Sequence, residues 1–163
     1  MLGGSFFCGT LGAQVPKPVV EVSGGAMGFL EATEPFVGGA ARFYVLPRVS
    51  LGPEITYING DNHSHVMVTG NFIFDFLSPR GGEQRRVTPF GLVGGGIFYT
   101  SERFRVFQGL PIPADFNSTE AAFTLGGGLR TVLGNRLTLG ADVRVGWELH
   151  IRLGGTIGVR LGR

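Results

Sequence analysis

The residues able to do chemistry are few and scattered. His63-Ser64-His65 sets two imidazoles two positions apart, which on an extended segment places both on one side, with Asp61 close by. The trio could help to hold a metal ion, but no third histidine is near in sequence, and a polar loop tip without a metal is the simpler expectation. His150 stands in the turn before the last apolar run, where it could cap backbone groups. A serine hydrolase would need a histidine oriented by a carboxylate and close to the serine, and no residue is assigned that role. Cys8 is the single cysteine, so there is no internal disulfide and no cysteine-based zinc site. Neither a catalytic residue nor a cofactor is expected.

Composition narrows what can position these residues. The chain has 163 residues, 43% hydrophobic and only 16% charged, with 29 glycines. One domain with a real core fits that length, and the apolar fraction argues against disorder. The glycines cluster, as in Gly94-Gly95-Gly96 and Gly126-Gly127-Gly128, without the three-residue period of collagen. Mean hydropathy is positive, +0.23, yet no window approaches the roughly 18 apolar residues that a spanning helix needs. Net charge is +2 and Lys17 is the only lysine. So little lysine is unusual for a water-facing surface, and nothing in the charge suggests nucleic acid. Residues 1–13 read as a possible, truncated signal peptide ending Leu11-Gly12-Ala13, which leaves 14–163 as the folded domain.

From Pro18 onward the pattern alternates every second residue, the mark of strands with two unlike faces. From Leu137 to Leu149 one face reads Leu137, Leu139, Ala141, Val143, Val145, Trp147 and Leu149, and the other Thr138, Gly140, Asp142, Arg144, Gly146 and Glu148. Eight such runs occur. In the fifth, Phe90, Leu92 and Phe98 fall on the nominally polar side, which leaves its register the least secure. Tight turns such as Leu46-Pro47-Arg48 alternate with longer connections, above all Ser101 to Glu120. The expected fold is all-β: a closed eight-stranded antiparallel up-and-down transmembrane β-barrel.

The polar face decides which way such a barrel turns. It is mostly small residues carrying Glu21, Glu54, Asp75, Asp142 and Glu148 together with Arg42, Arg130, Arg144 and Arg160. A near-balanced set of charges on one face suits a narrow lumen, where buried ionic groups must pair. Tyr57, Tyr99 and Trp147 lie on the apolar face near strand ends, as an aromatic belt would. A soluble lipocalin-like carrier of a small ligand, with the apolar face inward, is the alternative.

This pattern, with Val87-Thr88-Pro89-Phe90-Gly91-Leu92-Val93-Gly94-Gly95-Gly96 and Leu125-Gly126-Gly127-Gly128-Leu129-Arg130, resembles the small bacterial outer-membrane β-barrel families, the OmpA-like and OmpX-like eight-stranded barrels. The resemblance covers about Pro18 to the end. It implies a bacterial outer-membrane location and a structural or surface-interaction role, with membrane lipid, lipopolysaccharide or another protein as partner. Such barrels usually end in an aromatic residue, whereas this chain ends Val159-Arg160-Leu161-Gly162-Arg163. Some barrels of this kind modify lipid A, and their deacylases carry a His-x-Ser motif; here His63 and Ser64 are adjacent, so the motif is absent. Asp61 and His63 could form the Asp-His pair seen in outer-membrane proteases, which are larger barrels. Eight strands leave no continuous channel once the lumen is filled. Arg103, Phe104, Arg105, Phe107 and Phe116 are therefore the residues expected to face a surface partner, since arginine pairs bidentately with phosphate.

Overall fold

The two-residue alternation becomes eight strands in the computed structural model, which describes residues 15–29, 32–60, 63–77, 87–103, 115–134, 136–146 and 150–162, with the side chains of 102, 103, 115 and 116 excepted. The expected signal segment, 1–13, lies outside the described residues. The strands are β1 (Val19–Gly28), β2 (Thr33–Leu46), β3 (Val49–Asn59), β4 (His63–Asp75), β5 (Thr88–Arg103), β6 (Asp115–Leu133), β7 (Leu137–Gly146) and β8 (Ile151–Arg160). Each pairs antiparallel with the next, and β1 pairs with β8, so the sheet closes in chain order. Closure leaves no strand edge unpaired, the condition for a sheet to cross hydrocarbon.

The apolar face turns outward. Val22 and Ile157 are each 60% exposed, and Val37, Ile55, Val93, Ile97, Leu125, Leu129 and Leu153 are exposed with them. A soluble carrier would bury this face; a contiguous apolar exterior of this kind fits lipid and not water. Tyr57 of β3 pairs with Val66 of β4, and Val66 in turn with Tyr99 of β5, so both tyrosines stand outward at one level with one strand between them. Trp147, the third expected member of that belt, lies outside the described residues.

Two features refine the reading of the sequence. Phe90, Leu92 and Phe98 do point into the lumen and are buried there, so the fifth strand keeps its register. The lumen is consequently not wholly polar. Its other apolar occupants are Met27, Phe36, Ile58, Met67 and Ala122, which pack with Phe98 into one cluster. Two strands also begin earlier than the alternation suggests: β2 at Thr33, where the sequence pattern starts at Gly39, and β6 at Asp115, where it starts at Phe123. Pro35 mimics a turn signal in sequence but sits exposed on the outer face of β2, one residue from buried Glu34 and Phe36. Arg103 and Phe116 accordingly belong to the paired ends of β5 and β6, where Arg103 pairs with Asp115 and Glu102 with Phe116, and not to the loop. Phe104, Arg105 and Phe107 lie outside the described residues.

Candidate functional site

Alternate positions on every strand aim side chains into the lumen, and the charged ones meet at its centre on Glu54 of β3. Arg144 of β7 donates through Nη1 to Glu54 Oε2 at 2.6 Å, and Arg152 of β8 through Nη1 to Oε1 at 2.6 Å. Asn71 of β4 adds a third donor to Oε2 at 2.8 Å. Arg144 also grips Asp142 through Nε at 2.8 Å and Nη2 at 3.3 Å. Arg152 reaches Thr56 Oγ1 and Ser23 Oγ, both at 3.2 Å, and its guanidinium lies 4.1 Å from the centroid of the Phe36 ring. All of these charged groups are buried. Such a set is tolerated only because each charge is opposed and hydrogen-bonded.

A second layer lies nearer the chain termini. Arg42 is ion-paired to Glu21. Arg130 pairs with Asp75 at 3.3 Å, donates to Tyr44 Oη at 2.7 Å and covers the Phe90 ring at 4.6 Å. Between the two layers is a cavity of about 30 Å³, lined among others by Glu21, Arg42, Glu54, Arg130, Asp142 and Arg144. That volume holds about one or two waters. Crowding between the inward side chains of adjacent strands also accounts for one glycine. A Cβ on Gly94 would run into the Asn71 side chain and the Thr124 methyl group.

At the end away from the termini, above the apolar cluster, the histidines gather. His63 and His65, at the start of β4, have ring centroids 4.8 Å apart. Nε2 of His63 donates to Oε1 of Glu34 on β2 at 2.6 Å. His65 Nδ1 lies 3.0 Å from Thr100 Oγ1, and the ring stacks on Phe98 at 4.9 Å. His150 is buried, and Phe29 stands 5.8 Å from its ring and 5.9 Å from that of His65. Gly60 makes room for the pair, because a Cβ there would fall about on His63 Nε2 and Glu34 Oε1.

The expected lumen residues Glu21, Arg42, Glu54, Asp75, Arg130, Asp142 and Arg144 are all buried inside, and Arg160 is half-buried. Glu148 lies outside the described residues, as does Asp61. Arg152 and Glu34 were not legible. Arg152 falls in what reads as a turn after His150, and Glu34 precedes Pro35; extending each alternation by a few residues would have placed both inward. His63 and His65 occupy the first residues of a strand, where a loop tip was expected, and His63 meets Glu34 there.

No protein-family model matches the sequence, and no curated protein matches it significantly. The fold does have solved counterparts. Neisserial surface protein A (NspA) superposes with a TM-score of 0.67 at 12% identity, covering 88% of this chain and 96% of that one. The N-terminal β-barrel domain of Pseudomonas aeruginosa OprF gives 0.64 at 12% identity, over 91% and 100%. Ail, the attachment invasion locus protein of Yersinia pestis, solved in complex with the heparin analogue sucrose octasulfate, gives 0.54 at 12% identity, over 88% and 95%. The architecture is that of the small eight-stranded outer-membrane barrels.

Proposed function

We propose that this chain is an integral barrel of the bacterial outer membrane, closed to solutes, that serves as a structural and surface-interaction protein. The observation that carries the reading is the reversal of faces: apolar side chains cover the outside, while paired charges and an apolar cluster fill the inside. A barrel whose cavity amounts to about 30 Å³ between its charged layers has no path for a hydrated solute. Short turns in such barrels face the periplasm, so the end carrying β5–β6 is the outer one. There, Arg103 and Phe116 flank the segment with Phe104, Arg105 and Phe107, a combination suited to lipopolysaccharide phosphates. The sulfated saccharide held by Ail supports anion binding as something this fold can host.

Two measurements test this. Protein folded in detergent is expected to migrate differently on a denaturing gel before and after boiling, and to give no step conductance in planar bilayers. Full solubility after ultracentrifugation without detergent would overturn the membrane assignment, and a stable conductance would overturn closure. For the surface role, exchanging Arg103 and Arg105 for serine should weaken lipopolysaccharide binding and make it less salt-sensitive. Unchanged binding would remove those arginines from the contact.

A further inference from the structure

The chain has three histidines, and all of them lie at the outer mouth of the barrel. Two of them, with one carboxylate, have the composition of a metal centre. Glu34, His63 and His65 each present a ligand atom within 4.8 Å of the others. Tetrahedral bonds of about 2.0–2.2 Å would place neighbouring donors about 3.4 Å apart, a spacing that small side-chain rotations reach from here. Three further observations point to a ligand. Glu34 is only 5% exposed, yet its Oε2 has no hydrogen-bond partner among the described residues. A buried carboxylate oxygen without a donor is costly, and a cation would satisfy it. The His65 ring is held by Thr100 and by stacking on Phe98, the kind of outer contact that orients metal-binding imidazoles. The floor is apolar, made by Met67, Phe98 and their neighbours, while the His63 side chain remains 34% exposed and open to the outside.

We propose that Glu34, His63 and His65 form a binding site for one divalent transition-metal ion of the zinc class, which bridges β2 and β4 across the mouth. Those strands are not neighbours; β3 lies between them. The ion takes the place of the proton now shared by His63 Nε2 and Glu34 Oε1, and that proton moves to Nδ1 of His63 or to solvent. Two imidazoles and one carboxylate favour zinc, nickel or copper over calcium or magnesium, which prefer all-oxygen sites. With three protein ligands, a fourth position stays open for water or an incoming group.

The test uses the full chain folded in detergent and titrated with zinc chloride by calorimetry. One equivalent is expected to bind, undisturbed by excess magnesium or calcium. Glu34→Gln, His63→Ala and His65→Ala should each weaken binding by about tenfold or more, while His150→Gln leaves it unchanged. The boiled and unboiled gel comparison establishes that each variant is folded; His63→Gln and His65→Gln, which keep polar side chains of similar reach, stand in for any alanine variant that is not. Absence of stoichiometric zinc binding, its displacement by magnesium, or full retention in Glu34→Gln and His65→Gln would overturn the site.

Discussion

Glu54 accepts hydrogen bonds from Arg144, Arg152 and Asn71, and its removal is not equivalent to the removal of any one donor. In Glu54→Leu, Arg144 keeps Asp142, but Arg152 loses its carboxylate and keeps the neutral hydroxyls of Ser23 and Thr56 and the Phe36 ring. An uncompensated buried charge of this kind costs about 3–5 kcal/mol. In Arg152→Met, Glu54 retains Arg144 and Asn71. Urea titration followed by the gel shift should therefore show a larger fall in midpoint for Glu54→Leu than for Arg152→Met. Equal effects, or none, would mean that the lumen network is hydrated rather than paired. Arg144→Leu should also lower the midpoint, because it leaves Asp142 without its guanidinium.

Among the strands, β5 shows how one element serves two media. Gly94 faces the lumen and Gly95 faces outward, adjacent in sequence and opposite in consequence. A methyl group at Gly94 would collide with Asn71, the residue that donates to Glu54, whereas at Gly95 its nearest neighbour, the Ala122 carbonyl oxygen, is an ordinary 3.9 Å away. Gly94→Ala is expected to lower the unfolding midpoint, and Gly95→Ala to leave it unchanged or raise it slightly by restricting the unfolded chain. A comparable loss in both would show that packing inside and outside is not distinguished as described. The period-two pattern made the strand count, the direction of the faces and most of the central charge network legible before any coordinates, because inward and outward residues differ in polarity at almost every step. What it did not reveal were the places where that contrast fails. Met27, Phe36 and Ile58 are apolar but inward, and Glu34 and Arg152 sit beyond a proline or a presumed turn. The carboxylate partner of the histidines escaped for a further reason: Glu34 and His63 are 29 positions apart and meet only when β2 and β4 curve around the same mouth.

At the scale of the molecule, the lumen is layered from the termini outward: paired charges around Arg42 and Arg130, then Glu54 with its two arginines, then the apolar cluster, then the histidines. The first two layers tie strands that are distant around the barrel. Arg144 and Arg152 approach Glu54 from β7 and β8, 90 and 98 residues further along the chain. Pairing of β1 with β8 spans even more of it, from Val19 to Arg160. Contacts this remote close late and slow the search for the native state. Until β8 arrives, β1 and β7 each carry an open edge and Glu54 lacks one of its two arginines. A chain ending after β7 should accordingly give no heat-modifiable band and remain sensitive to protease; a folded band from that truncation would contradict the dependence. For a nascent chain, the last strand is then the proofreading step: a copy cut short is left with an inner acid short of one of its two arginines and with two exposed edges, and it stays recognisable as unfinished by any chaperone or protease that binds open strands.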